Sequence, residues 1–259
     1  MSDVLSIGVV GECYWPKEPR IFTYGDVEIL AYPEQRKFHA SLHLDIGKYG
    51  LSFEQGLSFL SELASVVCWV DNAQTRLLFD NAITTGFPIK MGKFGEFSAT
   101  LDSLERWKKS WITVPDAKSK MALALYREGM VASRSHCSQY SLLSYYKVLE
   151  WLFPVSSVRT LQMKKLVAEM LNRDDHDGEE FLWNISKLGW DKLSAEEIAQ
   201  KMYRECRGFV THAKHAATIF NPDCGTQLTS IFRMISPMQV VARAAIIQEC
   251  PKLEWLWFE

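Results

Sequence analysis

The sequence predicts an α+β chain: an N-terminal mixed β/α domain over residues 1–114, followed by an all-α helical bundle over 115–259. Three observations predict it. Short apolar runs, one alternating with period two, crowd the chain before Pro115. After Pro115 apolar residues recur at helical spacing in successive stretches of helix length. Hydrophobic residues make up 47% and charged residues 23%, which supports packed cores and argues against a disordered chain.

The elements follow in order. Residues 4–10 read as a strand and residues 26–32 as a second. Residues 37–46 alternate, with Phe38, Ala40, Leu42, Leu44 and Ile46 on one face and His39, Ser41, His43 and Asp45 on the other. That pattern predicts a half-buried strand with its histidines facing solvent. Pro33-Glu34-Gln35-Arg36 reads as the hairpin turn before it. Residues 53–70 form a helix, capped by Ser52 with Gln55 as its capping-box partner. Leu57, Leu60, Leu63, Ala64, Val67 and Cys68 give it one apolar face. Residues 76–79 and 89–91 read as further strands, and 101–111 as either strand or short helix.

Beyond Pro115, Asp116 caps a helix to about residue 133, a second spans 138–153 and stops at Pro154, and a third spans 157–171. Residues 172–178 are a polar break and 179–188 a short helix. Ser194-Ala195-Glu196-Glu197 is a capping box that opens a long helix to about residue 220, ended by Asn221-Pro222. Residues 226–248 close the bundle, with a kink expected at Pro237.

Composition narrows the function. The formal charge of −2 argues against a protein that coats long nucleic acids, so any such contact is local. The start of the chain lacks a basic leader, and no apolar run reads as a membrane span. The six cysteines are scattered, without a C-x2-C pair, which favours reduced thiols over a disulfide frame or a zinc site. The expectation is a cytoplasmic protein with no membrane partner, no cofactor and no metal.

The chemistry-bearing motif is Arg207-Gly208-Phe209-Val210-Thr211-His212, an R-x4-H spacing within the long helix. Histidine exchanges protons near neutral pH, and arginine clamps phosphate. Together they suit metal-independent cleavage of an RNA phosphodiester. Residues five apart on a regular helix differ by about 140° around its axis. Convergence on one phosphate therefore needs a local distortion, long reach, or a second copy of the helix at a two-fold axis. Lys201, Arg204, Lys214 and His215 flank the motif as candidate contacts for RNA phosphates.

The segment Tyr203-Arg204-Glu205-Cys206-Arg207-Gly208-Phe209-Val210-Thr211-His212-Ala213 resembles the motif helix of HEPN domains. The earlier runs Ala124-Leu125-Tyr126-Arg127-Glu128-Gly129-Met130 and Leu142-Leu143-Ser144-Tyr145-Tyr146-Lys147-Val148-Leu149-Glu150 resemble the front helices of the Apea-like HEPN group. The resemblance covers roughly residues 115–250, and the layout as a whole is similar to MauJ-like proteins. Active HEPN domains are dimeric, metal-independent endoribonucleases, many of them toxins or antiviral defence effectors. The resemblance implies catalytic roles for Arg207 and His212, RNA as a partner, and a homodimer formed through the bundle. It implies a sensing or regulatory role, with its own protein partner, for the N-terminal domain. Other members are non-catalytic interaction or nucleotide-binding modules. Active members commonly carry a polar residue after the arginine; Gly208 stands there instead, and either permits the distortion the site needs or marks a decayed site.

Other candidates read as structural. His39 and His43 lie about 13 Å apart along a strand, too far to share a metal unaided. Asp174-Asp175-His176-Asp177-Gly178 fails the calcium-loop pattern and reads as a solvated loop. His136-Cys137 point apart on a helix. The mixed stretch Arg106-Trp107-Lys108-Lys109-Ser110-Trp111 reads as interface packing, and the apolar 253–258 tail as docking on its own bundle.

Overall fold

The computed structural model describes residues 3–92, 101–102, 111–211 and 224–255, with backbone alone at 101, 102, 111, 206–211, 254 and 255. The architecture is α+β: an antiparallel sheet with a few helices, then a helical region. The chain divides into two compact units, Met1–Lys120 with Lys252–Glu259, and Met121–Pro251.

In the first unit, β1 (Val4–Gly11), β3 (Arg20–Tyr24), β4 (Val27–Tyr32), β5 (Ala40–Asp45), β6 (Thr75–Thr85) and β8 (Trp111–Ile112) form one sheet in the order β6-β1-β5-β4-β3-β8. The pairings are antiparallel except β3 with β8. A separate pair joins β2 (Tyr14–Trp15) and β7 (Leu101–Asp102) in parallel. Registered neighbours such as Leu5 with Leu44 and Ile7 with Leu42 place one apolar face of the sheet under α2 (Phe53–Asp71). Gly56 of α2 sits so close to Leu5 and Ile46 that a Cβ would meet their methyls at 2.9 and 2.7 Å. Ser52 caps α2 as predicted, accepting from the Gln55 amide while the Gln55 side chain accepts from the Ser52 amide.

The opposite face corrects the sequence reading. His39 and His43 do not face solvent: they are 4% and 2% exposed. Ser6 stands across from His43 in the register, and its hydroxyl lies 2.9 Å from Nδ1 while Ser41 lies 2.9 Å from Nε2. The Ile89 amide donates to Ser6, and the His39 amide donates to the Met91 carbonyl, so the chain at 89–91 lies over this face. Those residues, expected as a strand, form none; Gly92 makes one isolated bridge to Phe38. The short α1 (Ile46–Tyr49) follows β5, which is shorter than the alternation suggested.

The second unit is helical: α3 (Ala117–Arg134) from Met121 onward, α4 (Ser138–Leu152), α5 (Ser156–Leu171), α6 (His176–Lys187), α7 (Ala195–Thr211) and α8 (Gly225–Glu249). Asp116 caps α3, accepting from the Ser119 amide. α6 begins earlier than expected because Asp175 is its cap, accepting from the Gly178 amide, so the acidic loop reading gives way to a helix N-terminus. The core joins Leu142, Tyr145 and Leu149 of α4 to Met234, Met238, Val241 and Ala245 of α8. α8 runs uninterrupted through Pro237. By length and composition it could cross a membrane, contrary to the sequence reading, yet 61% of its apolar window is buried, as for a core helix. A 3-10 turn at Pro251–Trp255 ends the described chain with Leu253 buried. The expected docking of the 253–258 tail lies, beyond Leu253, outside the described side chains.

Candidate functional site

α7 carries the R-x4-H motif, and its position follows from its apolar stripe. Ile198, Ala199 and Met202 are buried, and the helix packs on α5 and α4. Ser194 and Glu197 make the predicted capping box, which holds the Glu197 carboxyl below its usual range through bonds from the Ser194 amide and hydroxyl. Lys164 of α5 reaches Glu196 at 2.5 Å. Tyr203 meets Tyr146 of α4 edge-on at 6.1 Å between ring centres. Behind Tyr146 stands buried Arg159, which donates to the Phe153 carbonyl at 3.1 Å and lies 3.6 Å from Glu150. This ties the α4 end to α5 and backs the inner side of α7.

The candidate residues divide along the helix. The Lys201 ammonium sits 5.3 Å over the Trp190 ring, a cation–π contact inside the unit. Arg204 is exposed. Glu205 is half-buried; desolvation raises its pKa, opposed by Lys201 and Arg204 and by a hydrogen bond from Ser230 of α8. At 100° per residue the Cα of Arg207 continues the row of Gln200, Tyr203 and Arg204, away from the buried stripe. The Arg207 side chain, and His212, Lys214 and His215 entirely, lie outside the described residues. So do the predicted helix continuation to residue 220, its end at Asn221-Pro222, and most of the Arg106–Trp111 stretch. The backbone is α-helical from Ala195 to Thr211 without a break at Gly208.

One feature escaped the sequence reading. Between α6 and α8 runs a groove of about 670 Å³, with Trp183 and Lys187 on one side and Phe232 and Arg233 on the other. Trp183 is 62% and Phe232 68% exposed. Their periodicity was the available signal: Phe181 and Ile185 are the buried pair on α6, which throws Trp183 to the outside. A second recess of about 520 Å³ shares Thr229 and Arg233 with the groove and reaches Ser230, the residue bonded to Glu205 of α7. Among the described residues no group of three or more His, Cys, Asp or Glu side chains is placed to hold a metal ion. Cys13, Cys68, Cys137, Cys224 and Cys250 form no disulfide among the described residues.

Comparison with known proteins gives one likeness. A family model described as methylamine utilization protein MauJ matches residues 122–246, from α3 to the last turns of α8. The match is consistent with a HEPN-like bundle. No curated protein and no solved structure matches the chain.

Proposed function

We propose, with that likeness as premise, that the helical unit is an Apea-like HEPN domain acting as a metal-independent endoribonuclease. The observation that supports the reading is the helical backbone of α7 through Arg207, which puts its Cα on the side of exposed Gln200 and Arg204 and off the Ile198, Ala199 and Met202 stripe. In this reading the ribose 2′-oxygen attacks the adjacent phosphorus as its P–O5′ bond breaks. The products are a 2′,3′-cyclic phosphate and a 5′-hydroxyl. His212 assists the proton transfers, and Arg207 holds the charge that develops on the phosphoryl oxygens. In this reading a second copy of α7 supplies the histidine, in keeping with a helix that shows no distortion at Gly208. Arg204, Lys214 and His215 hold flanking phosphates; Lys201 contributes less, because Trp190 already engages it. A defence or toxin role, with the sheet unit as sensor for a partner, accompanies this reading.

The test is incubation of the purified protein with single-stranded RNA in EDTA. The wild type is expected to cleave and leave 5′-hydroxyl ends, while Arg207→Ala and His212→Ala lose cleavage with unchanged circular dichroism. Cleavage that survives in His212→Ala, or that requires added magnesium, overturns the mechanism. The same unbroken helix also fits a second reading, a non-catalytic HEPN module in which Gly208 marks a lost site. A wild type that binds RNA or nucleotide and cleaves none supports that one.

A further inference from the structure

We infer that the α6–α8 groove seats single-stranded RNA, with Trp183 and Phe232 as stacking platforms and Arg233 and Lys187 as the phosphate contacts. The inference rests on RNA as the ligand of the α7 site and extends it to a surface that neither the motif nor the family likeness assigns.

Four observations carry it. First, two large aromatic side chains on facing helices stand more than half exposed beside a groove of about 670 Å³, the size of a ligand pocket. Trp183 and Phe232 do not fill the core, which Phe181, Ile185, Ile231 and Ile235 supply from the same helices. Exposed aromatic faces flanked by cations are how sequence-tolerant single-strand binders hold bases.

Second, the cations are placed rather than scattered. Arg233 donates through Nη1 to the Lys187 carbonyl at 2.9 Å, which caps the α6 C-terminus and fixes the guanidinium at the groove edge with one of its five donors. The Lys187 ammonium lies 5.1 Å over the Trp183 ring, so the platform and its cation form one unit.

Third, the polar groups of this largely apolar groove are ordered along its length. Glu180 accepts from Ser236 at 2.5 Å, and Asn184 donates to Ser236 at 3.1 Å. This carboxylate lies about two helical turns along α6 from Lys187. The cationic end is therefore the end that leads through Thr229 and Ser230 toward α7. Charge complementarity suits a polyanion entering from the α7 side and disfavours an acidic ligand confined to the Glu180 end.

Fourth, the groove leads toward the helix that carries the motif. The adjoining recess, lined by Thr229, Ser230 and Arg233, meets α7 at Glu205, two residues before Arg207.

The experiment separates groove from chemistry. A fluorescein-labelled oligouridylate and oligoadenylate of about twelve nucleotides are titrated in EDTA against full-length His212→Ala protein, so that cleavage cannot intervene. Adding Trp183→Ala or Phe232→Ala is expected to weaken binding about five- to hundredfold for both oligomers. Trp183→Phe is expected to retain most of the affinity. Arg233→Ala is expected to reduce the salt dependence of binding. Both aromatics are exposed, so unchanged circular dichroism is expected and is checked. Absence of RNA binding, or groove variants that bind as tightly as their parent, overturns the inference. So does a Trp183→Ala protein that loses self-association in sedimentation while RNA binding persists, which would make this face a contact between copies. If binding depends on Trp183 while the wild type cleaves no RNA, the nuclease reading fails and the groove stands.

Discussion

His43 shows how a polar residue in a strand can belong to the core. Sequence alternation predicted a solvent face of His39, Ser41 and His43, because period two with polar residues on one side usually marks a half-buried sheet. Alternation reports which residues share a face and says nothing of what covers it. Here the chain at 89–91 covers that face, and Ser6 and Ser41 satisfy the imidazole. Burial lowers the His43 pKa to about 4 from 6.5. The sign of the consequence follows: between those values the unfolded chain binds the proton and the folded chain does not. Stability is thus full above about pH 6.5 and declines by up to about 3 kcal/mol as pH falls toward about 4. Urea unfolding at about pH 7.5 and about pH 5 should show this loss, and His43→Gln should remove most of the difference. An equal loss in the variant would place the pH dependence elsewhere. Gly129 gives a second test at this scale. A Cβ there would meet the Tyr145 ring at 2.6 Å, and Ser141 donates to the Gly129 carbonyl at 2.9 Å, so α3 and α4 approach at this glycine. Despite the better helix propensity of alanine, Gly129→Ala should cost about 1–3 kcal/mol in thermal or urea unfolding.

At the scale of elements, what was legible depended on whether local chemistry marked the boundary. The Ser52–Gln55 and Ser194–Glu197 boxes, Asp116 and Pro154 announce helix ends in the sequence, and α2, α3, α4 and the start of α7 lie where those signals put them. Ser52→Ala should accordingly cost about 1 kcal/mol, seen as a lower urea midpoint at constant slope. No change would mean that packing of α2 on the sheet alone holds its first turn. Strands without such punctuation were harder to read. β3 went unseen because Ile21, 62% exposed, breaks the alternation set by Phe22 and Tyr24. β6 looked shorter than its Thr75–Thr85 span because Asp80 and Asn81 are poor strand formers, and its pairing to β1 supplies what propensity does not. α8 follows the same logic in reverse. Its Pro237 suggested a kink, yet burial against α4 and α6 sustains the helix on both sides.

At the scale of the whole molecule, the two units carry different kinds of information. The bundle holds the motif, and there the sequence located the R-x4-H helix by its cap, its stripe and its spacing. It did not locate the α6–α8 groove, because periodicity can place Trp183 on the outer side of α6 but only the fold brings it beside Phe232 at one cleft. Nor does sequence show how Arg207 meets His212; the proposed reading requires a partner copy to supply one of the two. That requirement makes the last prediction specific. Arg207→Ala and His212→Ala proteins should each be dimeric in sedimentation and each inactive alone. If each site takes its arginine from one copy and its histidine from the other, co-refolding the two variants should restore cleavage. Half of the dimers would then be mixed, and one of their two sites would hold both native groups, giving about a quarter of wild-type activity. If Arg207 and His212 of the same copy acted together, every mixed dimer would lack a complete pair and no activity would return. A monomeric full-length protein that nevertheless cleaves RNA through His212 would likewise rule out the shared site. Complementation near a quarter is the outcome that fits two α7 helices meeting at a two-fold axis.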